Sequence, residues 1–574
     1  MVTLADLSYY LERVLNILPK REDRPFLNFA VRKAEEERIL FIEAPTGYGK
    51  SVISQTIALR SLKEGLKCIV AFPLRTLLED QLNKFRLMAK MSGFDREEVG
   101  ARYMHYPESR YLIKPVTLTT IDTLSLTLFG LAPEDLEVVI QQDGTLTGSL
   151  GHYLFSRAMV LLSDLILDEV HLLSDTTKSL NFLVALIRII ASHGGRAVFM
   201  SATIPKALEN VIKTECAVVR PRFTRFSEKP DERFLEERRR KKYEKMVIEE
   251  VGKSDHEKFE KILGWIKEGR RDGYKRSLVV FNTVHEAIEF YEKAKANLDI
   301  PHDKILLLHS RFAVQDRETK ITKINALKES SEYLIISTQV IEAGVDISSN
   351  IFISDLAPAS TLIQRLGRFL RYPGENEGRL YLWYEKWEED KRYKGVYDSE
   401  LLEKTLNFLS AKDVRFHDPE SYQPLLDNVY DDTTFCLNRN DIMKLISITN
   451  ILECPREAVR IFIGLEGSFV RDETIVPVLP SSLKYEEMSP TELEKQVIPL
   501  NLSLLYRLKP KERLLIKDEK PIKEQVGKYW EMRVENLLKH IFEPEFLAFI
   551  VEGEYDKELG LVIKYEQNYQ LQER

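Results

Sequence analysis

The residues best placed to do chemistry lie in one stretch, Ala44-Pro45-Thr46-Gly47-Tyr48-Gly49-Lys50-Ser51. An apolar run, Ile39 to Ile42, leads into it and reads as a short buried strand, and a helix-like stretch, Val52 to Leu62, leads out. Strand, glycine-containing turn and helix N-terminus are what a triphosphate needs. Unpaired backbone N–H groups point at the phosphates, Lys50 supplies a mobile positive charge, and the Ser51 hydroxyl helps hold Mg²⁺. Ala44 replaces the first glycine of the usual pattern and is small enough for a tight loop.

A second reactive group follows Leu165-Ile166-Leu167, a strand that runs directly into Asp168-Glu169-Val170-His171. Carboxylates at the C-terminal end of a strand sit at the sheet edge where α/β proteins bind ligands. Asp168 would hold Mg²⁺, and Glu169 would orient and deprotonate an attacking water. The next strand, Ala197 to Met200, ends in Ser201-Ala202-Thr203. Its hydroxyls, Ser201 and Thr203, suit the relay of a change at the γ-phosphate. Far downstream, Gln364 to Arg371 carries three arginines, Arg365, Arg368 and Arg371. Arg368 and Arg371 are three apart and on a helix would share a face, as two guanidinium forks for a phosphate. They are read as fingers reaching the nucleotide of the first unit. Gly144, Gly148 and Gly151 follow no strand and precede no lysine, so they read as a surface loop.

Two alternating strand–helix units position these groups, which makes the fold class α/β, with two tandem parallel-sheet domains; that these are RecA-like is what the resemblance given below implies. The first, residues 1–220, holds strands at 66–73, 116–120, 165–167 and 197–200 besides the strand before the loop. Residues 221–242 are charge-rich and read as a linker with a solvated face. The second domain, completing 221–394, has strands at 277–283, 304–311, 333–339, 351–355 and 379–384. Residues 395–574 read as a mainly helical accessory domain, with helices at 401–409 and 529–541 and an extended piece at 475–480.

The 574 residues are 44% hydrophobic, enough for several cores, and 30% charged with a net charge of −7. That balance excludes a cationic coat but leaves room for a local basic groove. Four scattered cysteines form no Cys-x-x-Cys pair, which points to reduced thiols in the cytoplasm and not to a zinc site. The N-terminal residues lack a signal peptide's uninterrupted apolar core. The most apolar helical stretch, Leu180 to Ala191, is too short for a membrane and contains Arg188, so no membrane partner is expected. His302-Asp303 and His417-Asp418 are isolated pairs, and a metal nuclease of His-Asp type needs several further ligands.

The order phosphate loop, DEVH, SAT, TQVIEAGVD and QRLGRFLR resembles that of superfamily 2 helicases and translocases. Within that group, LLLHSRF followed by Arg317, with STQVIEAGVDI, most resembles the helicase of type I CRISPR systems. The resemblance covers roughly residues 20 to 395. It implies ATP-driven 3′→5′ movement on single-stranded DNA, in the service of a CRISPR RNA-guided surveillance complex. It places Lys50 and Ser51 on phosphates and Mg²⁺, Asp168 and Glu169 in hydrolysis, and Ser201 and Thr203 in coupling. It further implies Gly344 and Asp346 near the nucleotide, and Gln364, Arg368 and Arg371 facing the γ-phosphate. Strand contacts would come from Arg75, Thr120, Thr283, Arg311 and Thr338. Where many relatives carry an adenine-reading glutamine, this chain has Arg24-Pro25-Phe26-Leu27-Asn28, with Asn28 as the counterpart. The family often fuses an N-terminal His-Asp nuclease, whereas the motor motifs here begin close to the first residue. The expectation is a helicase half working with a separate nuclease subunit. Two other readings fit the motifs: another superfamily 2 RNA or DNA translocase, and an ATP-gated clamp with slow hydrolysis. Intact Glu169, Arg368 and Arg371 argue against the clamp.

Overall fold

The computed structural model describes residues 6–18, 24–103, 106–141, 151–252, 254–342, 344–387, 392–449, 454–472, 474–543 and 545–563. The Gly144 and Gly148 part of the expected loop lies outside the described residues, and Gly151 opens a helix, Gly151–Leu161.

The chain divides into two units: Met1–Leu235 with Tyr430–Thr474 and Val534–Pro544, and Glu236–Val429 with Ile475–Arg533 and Glu545–Arg574. In unit 1 the strands are β1 (Ile39–Glu43), β2 (Cys68–Phe72), β3 (Val99–Arg102), β4 (Val116–Thr120), β5 (Asp164–Leu167), β6 (Arg196–Ser201) and β7 (Arg222–Arg225). They form one parallel sheet in the order β3-β4-β2-β5-β6-β1-β7. β1, β2 and β4 are buried along their whole length, as strands covered on both faces must be, which is why they read as apolar runs. Phe41 of β1 stacks between its register partners Phe199, at 4.6 Å, and Phe223, at 4.5 Å.

In unit 2 the strands β8 (Lys242–Val251), β9 (Arg276–Val280), β10 (Ile305–Leu308), β11 (Tyr333–Ser337), β12 (Ile351–Asp355) and β13 (Glu377–Glu385) form a second parallel sheet, β10-β11-β9-β12-β13-β8. The same unit holds a mixed sheet of β14 (Ile475–Pro480), β15 (Ile498–Asn501), β16 (Glu512–Lys517), β17 (Lys520–Gln525) and β18 (Phe546–Val551), and a hairpin of β19 (Glu554–Asp556) and β20 (Gly560–Val562).

The expected domain boundaries are corrected in two places. Residues 221–242 are not a linker: they contain edge strand β7, the helix Glu232–Arg239 and the start of β8. Their charges hide the buried Phe223, Phe226, Phe234 and Leu235, so unit 1 closes at 235 and not at 220. Residues 395–574 do not form one domain. The helix Arg439–Ser447 buries Ile442 and Leu445 and packs on the helix Thr177–Ser192 of unit 1, where Asn438 N–H donates to Asn181 Oδ1 at 2.9 Å. The expected helix at 529–541 is a short 3-10 turn, Tyr529–Glu531, and a helix, Val534–Ile541. The five-stranded sheet carried little sequence signal. Its β16–β17 hairpin turns at Asp518 (φ 48°) and Glu519 (φ 62°), a left-handed pair usually announced by Asn-Gly.

Candidate nucleotide site and nucleic-acid edge

β1 ends at Glu43, and the helix Lys50–Glu64 starts inside the Gly-Lys-Ser triplet, two residues earlier than its apolar pattern indicates. Gly47 (φ 77°) and Gly49 (φ 102°) take left-handed backbone conformations that side chains resist, and Gly49 is the helix N-cap. The first-turn N–H groups therefore face the loop. Lys50 is buried and its Nζ donates to Ala44 O at 3.1 Å. Tyr48, inside the loop, is wholly buried against Phe26, Phe226 and Phe234. Its hydroxyl donates to Asp231 Oδ2 at 3.1 Å and accepts from Phe26 N–H at 3.2 Å. Arg24 lies over the Tyr48 ring and donates to Gly47 O at 2.9 Å and Tyr48 O at 2.5 Å. Sequence reasoning missed this frame; Tyr48 grips the loop from within the core. In the region expected to read adenine, Arg24 holds the loop carbonyls, and Asn28 sits half-buried on the helix Pro25–Glu36.

The carboxylates stand two strands away, at the end of β5, with β6 between them and β1. Asp168 is buried, and burial together with the neighbouring Glu169 pushes its carboxyl up to about 7, against the pull of Lys50. Glu169 is left-handed (φ 52°), a strained position for a non-glycine residue of the kind found at functional sites. Its Oε2 is buried without a hydrogen bond, 3.4 Å from His171 Nδ1. Thr203 Oγ1 is a second buried oxygen lacking a partner. A crowded carboxyl pair and orphaned oxygens are what a divalent cation and a water with phosphate would satisfy, so Ser51 and Asp168 fit such an ion.

Ser201 links the pieces. Its carbonyl accepts from Ala44 N–H at 3.0 Å, tying β6 to the phosphate loop. Its hydroxyl donates to Thr203 O at 2.9 Å and accepts from Thr203 N–H at 3.2 Å. With its one proton thus engaged, Ser201 Oγ accepts from His171 Nδ1, at 3.1 Å, which assigns the proton to Nδ1. Burial keeps His171 neutral, pulling its pKa down against the influence of Glu169. His171 is a functional candidate that the carboxylate motif contained but whose role was not read.

In unit 2 the arginines do not share a helix face. The helix Ala359–Leu366 ends before Arg368, and Leu370 (φ 45°) turns the chain. Arg368 and Arg371 converge by turns instead. Arg368 donates to Ile341 O at 3.2 Å and Glu342 O at 2.9 Å, while Arg371 Nε pairs with Asp346 Oδ1 at 3.0 Å. Asp346 also pairs with Lys328 at 2.6 Å, and Gly344 (φ 83°) makes the turn between. Ala343 lies outside the described residues. Gln364 is buried and its Nε2 has no partner. Arg365 is structural: fully buried, it binds Glu342 Oε1 at 2.9 Å, Asn282 Oδ1 at 3.0 Å and Tyr397 OH at 2.9 Å.

Strand order sorts the sheet edge of unit 1 into two halves. The loop, the carboxylates and Ser201 follow the neighbours β5-β6-β1, whereas Arg75 and Thr120 follow β2 and β4 on the other side. In unit 2, Arg311, Thr338 and Thr283 follow the three neighbours β10-β11-β9. Arg75 pairs with Glu79 at 2.5 Å and lies over Tyr103. The hydroxyls of Thr120 and Thr283 cap their own helices, on Thr123 N–H at 3.3 Å and Glu286 N–H at 3.4 Å, and Thr338 is buried. The hydroxyls of Thr120 and Thr283 are thus engaged by the fold.

His417 has both ring nitrogens engaged by protein groups. Its Nε2 donates to Phe369 O at 2.6 Å, and its Nδ1 accepts from Tyr243 OH at 2.7 Å. Burial pulls its pKa down to about 3. The unfolded chain takes up this proton near pH 6.5, well before the folded one, so its stabilising effect is complete above pH 6.5 and is lost as pH falls towards 3. At pH 5 the loss is about 2 kcal/mol. His417→Gln should lower stability at pH 7 yet flatten the decline to pH 5 by that amount in urea unfolding. An unchanged pH slope would remove the neutral-histidine assignment.

Residues 28–211 match the DEAD/DEAH box helicase family, and residues 273–374 match the C-terminal part of the CRISPR-associated nuclease/helicase Cas3 family. A CRISPR-associated nuclease/helicase Cas3 from Methanothermobacter thermautotrophicus is 23% identical over 75% of this chain and 51% of its own length. That of Streptococcus thermophilus is 28% identical over 52% of this chain and 33% of its own. The chain thus spans about half, or a third, of the length of these relatives. The crystal structure of T. fusca Cas3 with AMPPNP shares the fold, with a TM-score of 0.63 at 16% identity over 98% of this chain and 72% of that one. Family matches fall on both parallel-sheet units, in motif order, and together they support a Cas3-type superfamily 2 helicase.

Proposed function

We propose that this chain is an ATP-dependent 3′→5′ translocase on single-stranded DNA that unwinds target DNA for a separate nuclease in type I CRISPR interference. The observation that carries the reading is the thread from Ala44 through Ser201 to His171 beside Glu169, with buried oxygens left for ligands. Lys50 leaves Ala44 O for the phosphates, and the loop N–H groups orient them. Ser51 and Asp168 would hold Mg²⁺, which would neutralise phosphate charge. Glu169 takes the proton of the attacking water. Ser201 and Thr203 register the γ-phosphate, and Arg368, Arg371 and Gln364 meet it from unit 2, beside Gly344 and Asp346. Arg75, Thr120, Thr283, Arg311 and Thr338 form the strand-gripping edge. Cleavage is assigned to another subunit, because His417 has both ring nitrogens engaged. The partner is an RNA-guided surveillance complex, as in the solved CRISPR RNA-guided surveillance complex, pre-nicking, a chain of which shares this fold with a TM-score of 0.57 over 94% of this chain. No helix among the described residues is long and apolar enough to cross a membrane, which suits a cytoplasmic setting.

The test is hydrolysis with single-stranded DNA, duplex DNA or RNA, followed by displacement of a strand from a 3′-tailed duplex. Stimulation by single-stranded DNA, with displacement that leaves the strand intact in Mg²⁺, Mn²⁺ or Ni²⁺, is expected. Stimulation by RNA alone would move the protein to the RNA helicases, and binding without directional displacement would make it a clamp.

A further inference from the structure

The loop after β10, His309-Ser310-Arg311-Phe312, is built jointly with the distant hairpin β19–β20. Both main-chain polar groups of Arg311 are engaged there. Its N–H donates to His309 Nδ1 at 3.1 Å, and its carbonyl accepts from Leu561 N–H at 2.9 Å. His309 is wholly buried, stacked on Phe312 at 4.3 Å, and its Nε2 donates to Leu559 O at 2.8 Å. A carbonyl only accepts and a backbone N–H only donates, so the ring is neutral with its proton on Nε2. Two residues on, Ala313 N–H donates to Tyr555 OH at 3.0 Å, and that hydroxyl donates to Asp316 Oδ2 at 2.6 Å. Lys320 closes the far side on Glu558 O at 3.0 Å. Gly560 makes the approach possible. At φ +76°, a Cβ there would lie 2.7 Å from His309 Cε1 and 2.8 Å from Arg311 O.

Nothing in the hairpin resembles a motor motif, yet it seats the loop on which a strand-contacting arginine is expected. We infer that the hairpin Glu554–Val562 is a brace that sets the direction of Arg311 towards a nucleic-acid phosphate, with His309, Tyr555 and Gly560 as positioning residues. The inference rests on the proposed reading of Arg311 as a strand contact. A guanidinium on a loop with a fixed backbone loses less freedom on binding than one on a mobile loop. The brace therefore acts on affinity for the strand and not on hydrolysis.

The test uses the full chain with fluorescently labelled single-stranded DNA. Tyr555→Phe removes one hydroxyl and both of its hydrogen bonds. The DNA concentration for half-maximal stimulation of hydrolysis should rise about 3- to 10-fold, the effect of one or two lost hydrogen bonds. The maximal rate and the KM for ATP should hold. Gly560→Ala should weaken binding further. In an Arg311→Ala background, Tyr555→Phe should add no further loss, because the group it positions is gone. An equal loss in that background would mean that the hairpin acts elsewhere, and unchanged binding by Tyr555→Phe in the wild-type background would leave it a structural tether; either overturns the inference. Should the wild-type chain bind no nucleic acid, the proposed function itself fails and takes the brace with it.

Discussion

Arg368→Ala should lower the maximal rate of ATP hydrolysis by about 10³-fold or more, the loss expected when a second-domain arginine is removed from phosphoryl transfer. ATP affinity should change only a few-fold, because the proposed reading gives most of the phosphates to the loop and Lys50 of unit 1. The neighbouring arginines sharpen this expectation. Arg365 is fully buried and locked on Glu342, Asn282 and Tyr397, so its charge belongs to the fold. Arg368 donates to the backbone carbonyls of Ile341, at 3.2 Å, and Glu342, at 2.9 Å. Neutral carbonyls are exchanged for a triphosphate far more readily than a carboxylate is, since charge-assisted hydrogen bonds are about twice as strong. Single-turnover hydrolysis and equilibrium nucleotide binding separate the cases. A variant with weakened binding and an unchanged maximal rate would reduce Arg368 to a binding group.

Glu169→Gln should retain ATP binding and lose hydrolysis by roughly 10²- to 10⁴-fold, the usual contribution of a positioned general base. The substitution is nearly isosteric, so the left-handed backbone at φ 52° and the N–H bond to Asp168 Oδ1 at 3.0 Å should persist. Oε2 is buried and without a hydrogen bond, so replacing one carboxylate oxygen by an amide breaks no existing bond through that atom. The variant should accumulate as an ATP-bound complex on single-stranded DNA. Near-normal turnover would transfer the water-activating role to another group.

Much of the architecture was legible because parallel strands buried on both faces are short apolar runs. Ile39–Glu43, Cys68–Phe72 and Tyr333–Ser337 could hardly be read otherwise. The nucleotide-site candidates were legible for a related reason: they sit at strand ends, where a run of apolar residues stops at a polar one. What stayed hidden obeys other rules. β7 has the sequence Arg-Phe-Thr-Arg and is an edge strand, so its charges masked its pairing with β1. The arginine geometry was misread because helix periodicity was extended past Leu366, where the chain turns. Tyr48, His309 and Gly560 are defined by partners far away in the chain, and no local pattern carries that information.

The two units interlock along the chain, which passes from one to the other after residues 235, 429, 474, 533 and 544. During synthesis, Phe129 waits for Phe469, whose ring it meets at 4.6 Å, and Asn181 waits for Asn438. A nascent chain stopped at 235 leaves the apolar helix Thr177–Ser192 without its cover from Arg439–Ser447. Unit 1 cannot close until its last segment, Val534–Pro544, has been made, nor unit 2 until Glu545–Arg574 follows, and late, long-range closures of this kind are slow and prone to aggregate. The biogenesis of this chain, unlike its motif order, therefore does not divide into two motor domains and a tail.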